Sequence, residues 1–221
     1  MIKAILNDFG RVYVTFWERK DVIQKIVDYY GGNSKTASLI FGSQWGEAVY
    51  QRLDTGEMSF QDLWRRVCKV GGISRRDMQF HDFVSMFVCH LRPIESTVKL
   101  ACSLKKTYKM FAVSNGDYGS EYVPRMLFME YGLRFDHVYA SGNARCLKPK
   151  LYGVVAVDLE QRYGLKPSEC VVIDDVASYV EAAMQLGMKG VVFNGAKEHI
   201  ELLKFRLKAV GVKLPDDDSI A

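Results

Sequence analysis

The stretch Lys3-Ala4-Ile5-Leu6-Asn7-Asp8-Phe9-Gly10-Arg11-Val12 is an apolar run that breaks into polar residues and a glycine. It is too short for a helix, so it reads as a buried strand whose end presents Asp8 in a turn. Similar short apolar runs recur at 110–113, 137–140, 171–173 and 191–193. Helix-like segments lie between and after them. The segment 94–105 carries Val98, Ala101, Cys102 and Leu104 at helical spacing, and 123–131, 150–163, 179–186 and 198–208 behave alike. Pro149 and Pro167 punctuate the loops, and Gly187 stands where a helix-ending glycine would. Strands alternating with helices require right-handed crossovers and a parallel sheet. The expected fold is α/β: a Rossmann-like, doubly wound core.

Residues 15–91 differ. They show no clear buried-strand run but carry amphipathic helical patterns at 21–30, 60–70 and 78–89. In the second of these, Phe60, Leu63, Trp64 and Val67 fall on one side. The pattern predicts a helical cap at 15–91 inserted into a core made of 1–14 and 92–212. The tail at 213–221, with Asp216, Asp217 and Asp218, is expected to be flexible. The cap aromatics Trp17, Trp45, Trp64, Phe83 and Phe87 read as cap core rather than pocket.

Composition narrows the function classes. With 48% apolar and 25% charged residues the chain is an ordinary globular protein. The formal net charge is +4, with basic residues scattered and no run of five like charges, so no nucleic-acid partner is expected. No apolar stretch has the length of a membrane span, and the N-terminus lacks a signal-peptide layout, so no membrane partner is expected either. The five cysteines are odd in number, widely spaced and without a CxxC pair. That fits a reducing cytoplasmic setting rather than disulfides or zinc. The four histidines have no metal-ligand spacing. A monomer or a homodimer is expected.

Ligands of open parallel sheets bind beyond the carboxyl ends of the strands. The polar residues there are Asp8 after the first run, Ser114 and Asn115 after the second, Lys148 and Pro149 beyond the third, and Asp174 and Asp175 after the fourth. Three carboxylates in a small space repel one another unless a cation joins them, and a hard, oxygen-ligated ion such as Mg2+ suits them. One carboxylate could then attack phosphorus, the ammonium could offset charge, and a hydroxyl with a backbone N–H could hold a phosphoryl oxygen.

These residues also carry a family likeness. The segment 4–12 resembles the first motif of the haloacid dehalogenase superfamily in its DxGxV variant. Val113-Ser114-Asn115-Gly116 is similar to the second motif, Leu147-Lys148-Pro149 to the third, and Val172-Ile173-Asp174-Asp175 to the fourth. The resemblance implies a phosphatase in which Asp8 is the nucleophile and forms an aspartyl-phosphate. Ser114 and Asn115 would bind the phosphoryl group, and Lys148 would pair with Asp8. Asp174, Asp175, Asp8 and the Gly10 carbonyl would hold Mg2+. A helical cap over the site would select a small phosphorylated metabolite.

The first motif departs from the pattern. Most phosphatases of this superfamily carry a second Asp two residues beyond the nucleophile, as general acid and base; here Gly10 stands there and cannot transfer a proton. Losing such a group typically costs about 10²–10⁴ in rate. Arg11 replaces a usually small residue; it could bind a charged substrate group or point to solvent. Two alternatives therefore stay open: a 2-haloacid dehalogenase using Asp8 to displace halide, and a weakly active or non-catalytic binding protein of the same fold.

Overall fold

A computed structural model describes residues 1–16, 19–42, 44–116, 128 and 131–215. Trp17, the Trp45 side chain, most of the expected helix at 123–131, and Asp216 to Asp218 lie outside the described residues. The core sheet has five parallel strands: β1 (Ala4–Asn7), β4 (Lys109–Ser114), β5 (His137–Ala140), β6 (Cys170–Asp174) and β7 (Lys189–Val192). Their order is β5-β4-β1-β6-β7, so β1 is central and the winding reverses direction there.

Both faces of this sheet are covered, which explains why its strands read as continuous apolar runs. Ile5, Met110, Val171 and Ile173 point to one face, where they meet α6 (Glu95–Leu104) and the last helix, α10 (Ile200–Ala209). Ala4, Leu6, Phe111, Val113 and Val172 point to the other, against α8 (Leu151–Tyr163) and α9 (Ala177–Gln185). The alternation is the period-2 pleat. Asn7 is the polar member of β1 and is fully buried. Its amide donates to the carbonyls of Ile5 and Phe111, and its oxygen accepts from the Tyr13 hydroxyl at 2.8 Å, so its burial is compensated.

The cap is helical, with a cluster of its own. It comprises α1 (Arg19–Tyr29), α2 (Thr36–Phe41), α3 (Gln44–Asp54), α4 (Phe60–Gly71) and α5 (Phe80–Val88). In α4, Leu63, Trp64, Val67 and Cys68 are buried, a Ser59–Asp62 capping box closes the N-terminus, and Gly72 ends the helix at φ +69°. The cap is joined to the core by an antiparallel ribbon of β2 (Val14–Phe16) and β3 (Leu91–Pro93). The sequence boundaries at 14/15 and 91/92 fall inside this ribbon, whose three-residue strands are too short to register as strands in the pattern.

A second contact comes from the loop after α3. Gly56, at φ +73°, lies so close to the core that an added Cβ would stand 2.2 Å from the Gly142 carbonyl oxygen. Gly142 belongs to α7 (Ser141–Ala144), a single turn directly after β5.

Candidate active site

Strand register builds the centre of the site. Asn7 pairs with Ile173, and the ladder continues with the Asp8 N–H donating to the Ile173 carbonyl at 2.8 Å. The last residue of β6, Asp174, therefore stands beside Asp8, one strand spacing away. Two buried carboxylates at that distance repel strongly. The structure resolves this with Lys148, whose Nζ lies 2.6 Å from Asp8 Oδ1 and 2.8 Å from Asp174 Oδ2. All three side chains are at least nine-tenths buried. The resemblance pairs Lys148 with Asp8; its equal engagement with Asp174 follows from the non-local β1–β6 register.

Asp174 is saturated by protein donors. The Tyr152 hydroxyl donates to Oδ2 at 2.8 Å and the Val176 N–H to Oδ1 at 3.0 Å. Tyr152 lies one helical turn beyond Lys148, on the first turn of α8. That spacing is the one signal by which sequence reading could have found it. The Lys148 loop is held from the other side. The Lys148 N–H donates to Asn115 Oδ1 at 2.9 Å, so the Asn115 side chain acts on the loop. The Lys148–Pro149 peptide is cis, and the Tyr179 ring lies 5.2 Å from Lys148 Nζ.

The charges respond as this packing requires. Burial pushes the Asp8 carboxyl up, Lys148 pulls it down and Asp174 pushes it up again, leaving it at about 6. Burial presses on the Lys148 ammonium, but Asp8 and Asp174 outweigh it and hold its pKa above the ordinary value. Burial and then Asp174 raise Asp175, with Arg11 opposing them.

Asp8, Asp174 and Asp175 each offer a carboxylate oxygen within 4.8 Å of the others. Ligands on opposite sides of one Mg2+ are separated by about 4.2 Å, so this set fits a single ion after a small adjustment. With both oxygens of Asp174 already engaged, Asp8 and Asp175 are the better placed donors. The Gly10 carbonyl accepts no hydrogen bond among the described residues and can join them. Ser114 sits half-buried at the end of β4, its hydroxyl only 3.4 Å from the Asn115 carbonyl, and so can turn to another acceptor.

Arg11 faces this cluster. Its guanidinium lies 3.5 Å from Asp175 Oδ2 while the side chain stays 60% exposed. Its backbone is left-handed at φ +58°. Arg11 N–H donates to the Val14 carbonyl and its own carbonyl accepts from Ala196, which fixes that conformation. A non-glycine residue held there costs about 1–2 kcal/mol. The exposed ion pair is worth about 0–1 kcal/mol. Arg11→Gly is therefore expected to raise stability by about 1 kcal/mol, read as a higher urea midpoint at unchanged slope.

Sequence reading also missed Ser141, which is fully buried. Its hydroxyl accepts from the Gly116 N–H at 3.0 Å and donates to the Asp54 carbonyl at the end of α3. One side chain thus joins the Ser114–Gly116 loop to the cap.

No protein-family model matches the sequence, and comparison with curated proteins finds no relative. Solved structures do match in three dimensions. A haloacid dehalogenase (HAD) family enzyme, BT-2542 from Bacteroides thetaiotaomicron, in its magnesium complex, superposes with a TM-score of 0.65 at 17% identity, over 92% of this chain and 98% of that one. A predicted HAD-like family hydrolase from Porphyromonas gingivalis gives 0.62 at 20% identity, over 94% and 98%. L-2-haloacid dehalogenase from Xanthobacter autotrophicus, with chloropropionic acid covalently bound, gives 0.53 at 21% identity, over 97% and 85%. This chain has the fold of the haloacid dehalogenase enzymes, core and cap together.

Proposed function

We propose that the protein is a magnesium-dependent phosphohydrolase of small phosphorylated metabolites, with Asp8 as nucleophile. The observation that carries this reading is that Asp8, Asp174 and Asp175 each bring a carboxylate oxygen within 4.8 Å of the others, with Lys148 beside them. In this reading an Asp8 carboxylate oxygen attacks phosphorus, the ester oxygen leaves, and water then cleaves the aspartyl-phosphate to regenerate the carboxylate. Bound magnesium would supply charge neutralisation for the transferring phosphoryl group. Lys148 holds the Asp8 carboxylate in place and lends it positive charge. Ser114 and the backbone beside Asn115 receive a phosphoryl oxygen. Magnesium complexes in BT-2542 support the choice of metal by likeness of fold.

Gly10 sets a limit on the leaving group. With no carboxyl there, the departing oxygen receives no proton from that position, so esters of acidic phenols are preferred over alkyl esters by about 10² or more.

Dehalogenases of the same fold superpose with similar identity, which keeps halide displacement as the second reading. The two are separated by a paired assay with p-nitrophenyl phosphate and 2-chloropropionate, each with and without Mg2+. The phosphatase reading expects phosphate release that EDTA abolishes, and no chloride. Chloride release that persists in EDTA would transfer the protein to the dehalogenase reading. Binding of Mg2+ and a phosphate mimic such as beryllium fluoride, with no turnover of any phosphate ester in a broad screen, would favour a binding role.

A further inference from the structure

Five of the 30 basic residues are gathered by the fold of the cap. Arg65, Arg66 and Lys69 lie on the exposed side of α4, Arg52 approaches from α3, and Arg75 from the loop after α4. Together they line a groove of about 600 Å³ on the cap. Its floor is apolar, formed by the buried Met58, Cys68 and Ile73.

Few acids offset these charges. Asp62 pairs with Arg65 at 2.9 Å, and Glu57 reaches Arg52 only at 4.0 Å. Arg66, Lys69 and Arg75 have no carboxylate within ion-pairing distance among the described residues. Like charges held around a concave surface raise its potential and concentrate anions there. Guanidinium groups also match phosphate oxygens in a bidentate fork.

We propose that this groove binds a small anion carrying two or more phosphate groups, at a site separate from the Asp8 centre. Concavity and size favour a small molecule, since the volume falls within the usual range for such sites, about 300–1,000 Å³. A nucleic-acid strand is less well served. Among the described residues no aromatic side chain lines the groove to stack a base, and Asp62 stands in its wall.

The test is calorimetric titration of the metal-free protein with inorganic tripolyphosphate. Saturable one-to-one binding is expected, weakening steeply with added salt. R66E/R75E is expected to weaken it at least about tenfold, and Asp8→Asn to leave it unchanged within about twofold. R66Q/R75Q, which only removes charge, gives a smaller loss in the same direction. Both arginines are exposed, so an unchanged circular-dichroism melt confirms that these variants fold. No binding at millimolar tripolyphosphate would overturn the proposal, as would binding that R66E/R75E leaves unchanged. So would an oligonucleotide that displaces tripolyphosphate with affinity growing with its length.

Discussion

Asp8→Asn is expected to abolish phosphate release from p-nitrophenyl phosphate, lowering kcat by at least about 10³-fold while leaving the fold intact. The amide keeps the size and shape of the carboxyl but cannot form an acyl-phosphate. Loss of structure does not compete as an explanation, and the reason is electrostatic. Asp8 sits at about 6 in the folded protein against an ordinary 3.8, chiefly because it is buried. Between those values the folded state carries the extra proton, so the stability of the metal-free protein falls as pH rises from about 4 to about 6. An uncharged Asn escapes that penalty, while Lys148 keeps Asp174 as its partner. In EDTA at neutral pH, Asp8→Asn should therefore melt at or above the parent temperature. A variant that keeps parental kcat would remove Asp8 from the chemistry altogether.

Lys148→Ala should have the largest effect on stability. The ammonium bridges two buried carboxylates, and deleting it leaves Asp8 and Asp174 facing each other without a cation. Breaking a buried pair from one side costs about 3–5 kcal/mol. In a chain of this size that corresponds to a fall in Tm of roughly 6–20 °C. The loss should be smaller at pH 5 than at pH 8, since protonating Asp8 relieves the repulsion. Millimolar Mg2+ should recover part of it by supplying positive charge to the same carboxylates. An equal melt for variant and parent in EDTA would show that the Lys148 bridge does not hold in solution.

How far these features could be read in advance depends on how local they are. The five core strands announced themselves as short apolar runs; the three inner ones, β4, β1 and β6, are buried on both faces, and Ile5-Leu6 or Val171-Val172-Ile173 have no polar interruption. The ribbon of β2 and β3 did not, because its three-residue strands pair 77 residues apart, as Thr15 with Arg92, and carry too few side chains to form a period. The short helix α2 and the single turn α7 escaped for the same reason. Within the site, the strand-end position made Asp8, Ser114, Asp174 and Asp175 visible one by one. Which of them touch is decided by register between strands distant in sequence, so the shared Lys148 bridge was not readable. Arg11 is an opposite case. Its side chain gave no hint of a left-handed backbone, since that conformation is imposed by the bonds from Val14 and Ala196. The basic groove was equally hidden, because Arg52 and Arg75 meet α4 only once the cap helices pack.

The most direct measurement is a crystal structure grown with Mg2+, checked by anomalous scattering after exchange for Mn2+. One ion is expected between Asp8 and Asp175, about 2.1 Å from an oxygen of each, with Lys148 still bonded to Asp174 and Arg11 drawn away from Asp175. Crystals soaked in millimolar metal that show no anomalous peak there, with Arg11 still paired to Asp175, would contradict the account.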